Sequence, residues 1–353
     1  MTETLSPAPT APPSPPTFTE GGLLLRSRPA EDRRGAEQLH RGWHRGELIR
    51  LARGMYCPVQ AWCALPAWDR FTLTVAAAAA VRPSLVLTGR TAAHLHGLPL
   101  LDVPPAVEER AFGPGHRARR PAVRLPLAPT ALAAQVPSPP SRRCVLPRWD
   151  NDDAGPVPVD VALSDGTVVG TAWADALETV HLHLASTLPL RESVVPLDRL
   201  AHTRPADVAA WARTNAEVPT HDAGRRRFAR ACAFLDGRAE SPGESVSRVI
   251  MEELGFAPPL LQHEVFSADG RFLGRVDFFW PEAGVAGEFD GLTKYDLTLH
   301  ASEAERRRAI REERNREARL LRRLNGVARW TWDDLRRPAQ LEAELVRHGV
   351  PRR

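Results

Sequence analysis

Four residues in one short stretch have the types and spacing for metal-assisted chemistry. The segment RFLGRVDFFWPEAGVAGEFDGLTKY, residues 271–295, carries Asp277, then Glu288 and Asp290, then Lys294. Side chains two apart on a strand share a face, so Glu288 and Asp290 are predicted to point the same way. Adjacent acids on one face repel unless a cation lies between them, and hard carboxylate oxygens suit Mg²⁺ or Mn²⁺. A solvated face with scattered charge would account for the same pattern. The chain has 47 Lys plus Arg; one is Lys, Lys294, which leaves 46 Arg. An ammonium is a compact, tunable point charge and a guanidinium a fixed planar fork, so a single lysine four residues beyond Asp290 reads as a positioned cation.

The flanking pattern supplies elements to hold these groups. From Ser241, SPGESVSRVIMEELGF predicts a helix with Pro242 near its first turn and an apolar stripe of Val246, Val249, Ile250 and Leu254. Strands are predicted over 260–266, 272–280 and 285–290, the first two joined by a turn at Asp269-Gly270. A helix over about 302–324, a strand over 327–332 and a terminal helix from Asp333 follow. The order is α-β-β-β-α-β-α.

The rest of the 353 residues predicts an α/β (α+β) protein of more than one domain. Residues 1–20 are rich in Pro, Ser and Thr and predict a disordered tail. Residues 21–60 predict a short helix and a β-hairpin around Gly54, resembling the end of a winged helix. Residues 61–238 predict a mixed α/β domain, and 239–353 a further, self-contained one. Four Cys residues without a C-x-x-C spacing indicate neither a zinc ribbon nor a disulfide framework. No segment is long and apolar enough to cross a membrane, and no secretory signal is apparent. These features fit a cytoplasmic protein with no membrane partner. The net charge of +4 is compatible with nucleic acid without being diagnostic of it.

The blocks ESPGESVSR, GRVDFFWPE, GEFDGLTKY, ERNREARL and ARWTWDDL, in that order over residues 239–337, resemble a domain related to the very-short-patch-repair endonucleases. That resemblance implies a PD-(D/E)XK, restriction-endonuclease-like αβββαβ core and a Mg²⁺-dependent endonuclease acting on DNA, in repair or in defence against phage and mobile elements. It implies that Asp277 and Glu288 hold the metal and that Glu244 is an accessory acid. Asp290 stands where the family's E-x-K pattern has its lysine, and Lys294 would supply the cation from a shifted position. Arg306, Arg307, Arg308, Arg311, Arg314 and Arg316 are expected to hold the DNA backbone, a role that gives affinity without reading sequence. Glu313 and Glu317 share that charged helix, which also reads as a salt-bridged solvent face. The blocks RGELIRLARGMY and LTGRTAAHLHGLPLL resemble the abortive-infection type IV antitoxin family. They imply an antitoxin-like region with a degenerate winged helix, and an alternative function: a DNA-binding repressor with a cognate toxin and an inactive nuclease-like domain. A homo-oligomer stays open under either reading.

If Lys294 supplies the transition-state charge, Lys294→Arg should keep the fold and the DNA affinity but lower single-turnover cleavage by about 10²-fold, the scale for losing one such contact. Full activity in that variant would return Lys294 to an accident of composition.

Overall fold

The computed structural model describes residues 22–28, 30–111, 120–124, 137, 142–146, 155–219, 221–291 and 303–353. Lys294 and the 1–20 tail lie outside them. The fold is mixed α/β. It divides into two compact units, one of Met1–Leu98 with Asp102–His183, the other of Pro99–Leu101 with Leu184–Arg353. No helix among the described residues is long and apolar enough to cross a membrane.

In the first unit, β1 (Leu25–Arg26), α1 (Arg33–Arg45), β2 (Leu48–Ala52) and β3 (Met55–Pro58) form a helix against a three-stranded sheet of order β1-β3-β2. Gly54, at φ 74°, makes the tight turn between β2 and β3. Then come α2 (Val59–Ala64), α3 (Ala67–Val81), β4 (Val86–Leu87), α4 (Gly89–Leu95), β5 (Val107–Arg110), β6 (Arg120–Arg124), β7 (Arg142–Leu146), β8 (Val157–Ala162) and β9 (Val168–Ala174). Their six strands lie in the order β6-β7-β5-β4-β9-β8. The sequence predicts Thr88 as a helix N-cap. Thr88 does occupy that position, but its hydroxyl donates to buried Asp175 instead of capping α4.

α5 (Leu177–Thr187) leads out of that unit. In the second unit, α6 (Leu190–Thr203), α7 (Val208–Asn215) and α8 (Asp222–Phe234) precede α9 (Pro242–Glu253). Strands β10 (Leu260–Phe266), β11 (Phe272–Trp280) and β12 (Val285–Phe289), the helix α10 (Glu303–Leu320) and β13 (Gly326–Trp330) follow. Two short helices close the chain, α11 (Trp332–Arg336) and α12 (Pro338–Arg347). The sheet order is β10-β11-β12-β13, antiparallel twice and then parallel. A parallel pair cannot be joined by a hairpin, so the chain from β12 crosses over before β13, and α10 lies in that crossover.

The apolar stripe of α9 packs Val246, Val249 and Ile250 against Phe278 and Trp280 of β11 and Trp330 of β13. The buried indoles keep their hydrogen bonds: Trp330 Nε1 donates to Ser247 Oγ at 2.8 Å, and Trp280 Nε1 to the Ala257 carbonyl at 2.8 Å. On the opposite face, Leu320 and Leu324 pack on Ala286 and Leu273. Val194 and Val195 of α6 belong to the α9 core as well. Buried Asp198 of α6 accepts from Arg248 Nη1 at 2.8 Å and from the Asp236 amide at 2.8 Å. Burial pushes the Asp198 carboxyl up to about 6, against the pull of Arg248 and its other donors.

The unit that holds the sheet thus reaches back well before residue 239, and its core and Arg248 both draw on α6. A fragment of residues 184–353 should melt in one cooperative transition. A fragment of 239–353, stripped of Val194, Val195 and the Asp198 partner, should melt at a clearly lower temperature or without cooperativity. Thermal circular dichroism of the two fragments decides; equal midpoints would contradict this account of the core.

Candidate functional site on the four-stranded sheet

The register draws a row of side chains across the sheet. Leu261 pairs with Phe278 and His263 with Val276, which sets Gln262 opposite Asp277. The β11–β12 ladder runs to Phe278–Gly287, so the next position sets Asp277 opposite Glu288. Glu288 pairs with Arg329 on β13. The row is therefore Gln262, Asp277, Glu288 and Arg329, one residue from each strand.

At the Asp277 position the backbone ladder gives way to side-chain bonding: the Phe289 amide donates to Asp277 Oδ2 at 2.9 Å. Two glycines allow neighbouring groups to close in. A Cβ on Gly243, in the first turn of α9, would collide with the Phe289 ring, and one on Gly287 would lie 2.6 Å from Trp330. The start of α9 is thereby held over the end of β12.

Glu288 is 7% exposed. Its Oε1 accepts from Arg316 Nη2, and its Oε2 from Arg329 Nε at 3.2 Å. Arg316 reaches down from α10 and also donates to the Arg275 carbonyl at 3.2 Å. Arg329 is shared with Glu317, its Nη1 lying 3.1 Å from Glu317 Oε1. Burial raises the Glu288 pKa above its ordinary value, Arg316 and Arg329 pull it back, and the neighbouring Asp277 charge pushes it up again. Arg–carboxylate pairs of this kind are charge-assisted and directional.

Glu244 lies beside this row, 7% exposed, and is already committed. It is the third residue of α9, and its Oε1 accepts from the Ser241 hydroxyl at 2.7 Å while Ser241 Oγ accepts from the Glu244 amide at 3.2 Å. Its Oε2 accepts from the Glu240 amide at 2.9 Å and from Gln262 Nε2 at 2.8 Å. This is the reciprocal capping arrangement that an S-x-x-E sequence encodes. Glu244 thus fixes the helix start and, through Gln262, ties it to β10.

The structure brings Asp277, Glu288 and Arg316 together, with Glu244 linked through Gln262. Asp290 is half-buried just past the end of β12, its amide donating to the Trp330 carbonyl at 2.9 Å. Arg308, Arg311 and Arg314 are exposed on α10, Arg308 paired with Glu312 at 2.8 Å. The side chains of Arg306, Arg307 and Glu313 lie outside the described residues. Sequence reasoning missed Arg329 and Gln262. Arg329 had a signal, an arginine in a predicted strand pairing beside Glu288. Gln262 had none: its φ of 50° is a left-handed conformation uncommon outside glycine, and its buried Oε1 has no hydrogen-bond partner among the described residues.

Asp277 and Glu288 fit a hard divalent ion. They are adjacent carboxylates whose mutual repulsion a cation would relieve, and Mg²⁺ is commonly held by one or two carboxylates completed by water and substrate phosphate. Among the described residues, no group of three or more His, Cys, Asp or Glu is placed to hold a metal by itself.

No family model matches the chain, and no solved structure matches it. It is similar to two uncharacterized proteins of Mycobacterium tuberculosis, from the Oshkosh and H37Rv strains. Each is 35% identical over 129 residues, a span that covers 35% of this chain and 44% of the relative. The chain thus spans less than half the length of the curated relatives it matches.

The raised Glu288 pKa has a consequence for stability. The folded protein holds that proton more tightly than the unfolded chain, so this contribution to stability falls as pH rises above the ordinary value of 4.5. Glu288→Gln should flatten the decline of melting temperature over that window, compared with wild type in the same buffers. An unchanged slope would mean that Glu288 is solvated and outside the network described.

Proposed function

We propose that the second unit is a PD-(D/E)XK-like, metal-dependent endonuclease domain that hydrolyses phosphodiester bonds in DNA. The observation that carries this reading is the register of Asp277 opposite Glu288 on adjacent strands of an α-β-β-β-α-β unit. The five blocks of residues 239–337 that resemble the very-short-patch-repair-related domain support it, since they fall on α9, β11, β12, α10 and β13.

Asp277 and Glu288 would hold Mg²⁺ or Mn²⁺. Bound there, the ion would lower the pKa of the attacking water and offset charge on the phosphorane-like transition state. Gln262 and Glu244 position the sheet edge and the helix start around the pair. The arginines of α10 contact the DNA backbone, which gives affinity without sequence readout. Lys294 adds positive charge beside the scissile phosphate.

A second reading draws on the first unit: α1 carries exposed Arg33, Arg34, Arg41 and Arg45 and leads into the β2–β3 hairpin. A helix followed by a hairpin wing fits a degenerate winged helix, and so the antitoxin-type repressor in which the second unit does not cleave.

Supercoiled plasmid incubated with the full chain should be nicked in Mg²⁺ or Mn²⁺ and spared in chelator, with Asp277→Ala inactive. DNA binding without nicking under either metal would favour the repressor.

A further inference from the structure

The two oxygens of Glu288 that would meet a metal are the two that accept from Arg316 and Arg329. Any ion bound by Glu288 must therefore displace a guanidinium or share the carboxylate with it. The two arginines are not equally placed to yield. Arg329 stands on β13 directly beside Glu288, in register, and keeps a second carboxylate in Glu317. Arg316 comes from the neighbouring helix, and its other described acceptor is a neutral carbonyl, that of Arg275. The same helix exposes Arg308, Arg311 and Arg314, so a nucleic-acid backbone drawn to it meets Arg316 at the inner end of that basic face. A guanidinium binds phosphate and carboxylate with the same forked geometry, so it can exchange one for the other.

We propose that Arg316 is a tethered cation that occupies the metal-facing side of Glu288 until a DNA phosphate draws it away, so that DNA binding and divalent-metal binding are positively coupled. The inference rests on the nuclease reading above and adds to it the regulation of that site. Before DNA arrives, Arg316 keeps Glu288 neutralised and holds off the ion. Once a phosphate takes the guanidinium, Glu288 faces Asp277 with one counter-charge fewer, and the pair becomes a stronger site for Mg²⁺ or Mn²⁺. Thermodynamic linkage requires the reverse as well: the ion tightens DNA binding by the factor by which DNA tightens the ion.

The test is Mn²⁺ binding to the full chain, read from the free-ion electron paramagnetic resonance signal. It is measured without DNA and with a phosphorothioate duplex, and the ion bound by duplex alone is subtracted. Wild type should bind Mn²⁺ weakly alone and about tenfold or more tightly with duplex, within the usual range of coupling between sites. Arg316→Gln should bind Mn²⁺ tightly without DNA, and duplex should then add little. Arg316→Lys should fall between, because an ammonium keeps the charge but not the fork. The wild-type comparison stands even if both variants misfold: equal Mn²⁺ affinity with and without duplex overturns the proposal. Asp277→Ala separates the two levels of the argument. Tight, Asp277-dependent Mn²⁺ binding that neither DNA nor Arg316 alters sinks the coupling and leaves the nuclease reading standing. Absence of Asp277-dependent binding in every arm overturns both.

Discussion

A buried carboxylate must have a counter-charge, and in this protein that requirement falls on Glu288. Placed mid-sheet with little exposure, the group could not stay ionised without cations close by. Arg316 and Arg329 meet the need from two elements, α10 and β13, and in doing so define where those elements lie against β12. Glu317 balances Arg329 in turn. The four groups form an alternating chain of charge across the helix and the sheet. Breaking one partner of such a buried pair leaves the other uncompensated, which is the costly direction. The chain therefore constrains the site more tightly than packing alone would.

The apolar side of the sheet makes this polar side possible. Gly287 lets Trp330 lie flat across β12, and Gly243 lets the first turn of α9 meet Phe289. Both substitutions would push the helix start away from the strand end that carries Glu288. Trp330 is fixed through Ser247, whose hydroxyl itself donates to the Gly243 carbonyl at 2.6 Å. One short sequence, SPGESVS, thus supplies the cap, the close approach and the indole acceptor together. Its role in the site is to place β11 and β12 with respect to one another and to hold Gln262 against Glu244.

Much of the second unit could be read from the sequence because its signals are local. Alternating aromatic and β-branched residues gave β11, S-x-x-E with Pro242 gave the start of α9, and glycine and turn chemistry gave the hairpin. The acids Asp277 and Glu288 stood out because a charged residue inside an apolar strand is rare. What stayed hidden was long-range. Nothing local marks Val194, Val195 or Asp198 as partners of α9, because their link runs through tertiary packing across some 50 residues of chain. Arg316 was expected on a DNA-facing helix, yet its carboxylate partner comes from the pairing of β12 with β13, which spacing alone does not reveal. The left-handed backbone at Gln262 contradicts the local preference of its residue type, as sites under functional or packing constraint can. The expected span of the site strand ended one residue early, since Asp290 follows Phe289 out of the ladder.

The central claim is that Asp277 and Glu288 form one metal-binding pair on a DNA-cutting sheet. The most direct measurement is anomalous diffraction at the manganese edge from crystals of the full chain grown with a short phosphorothioate duplex and Mn²⁺. The account predicts a peak bridging an oxygen of Asp277 and an oxygen of Glu288, with Arg316 turned from Glu288 toward a phosphate. Duplex bound with no peak at that pair, and Glu288 still held by both arginines, would contradict it.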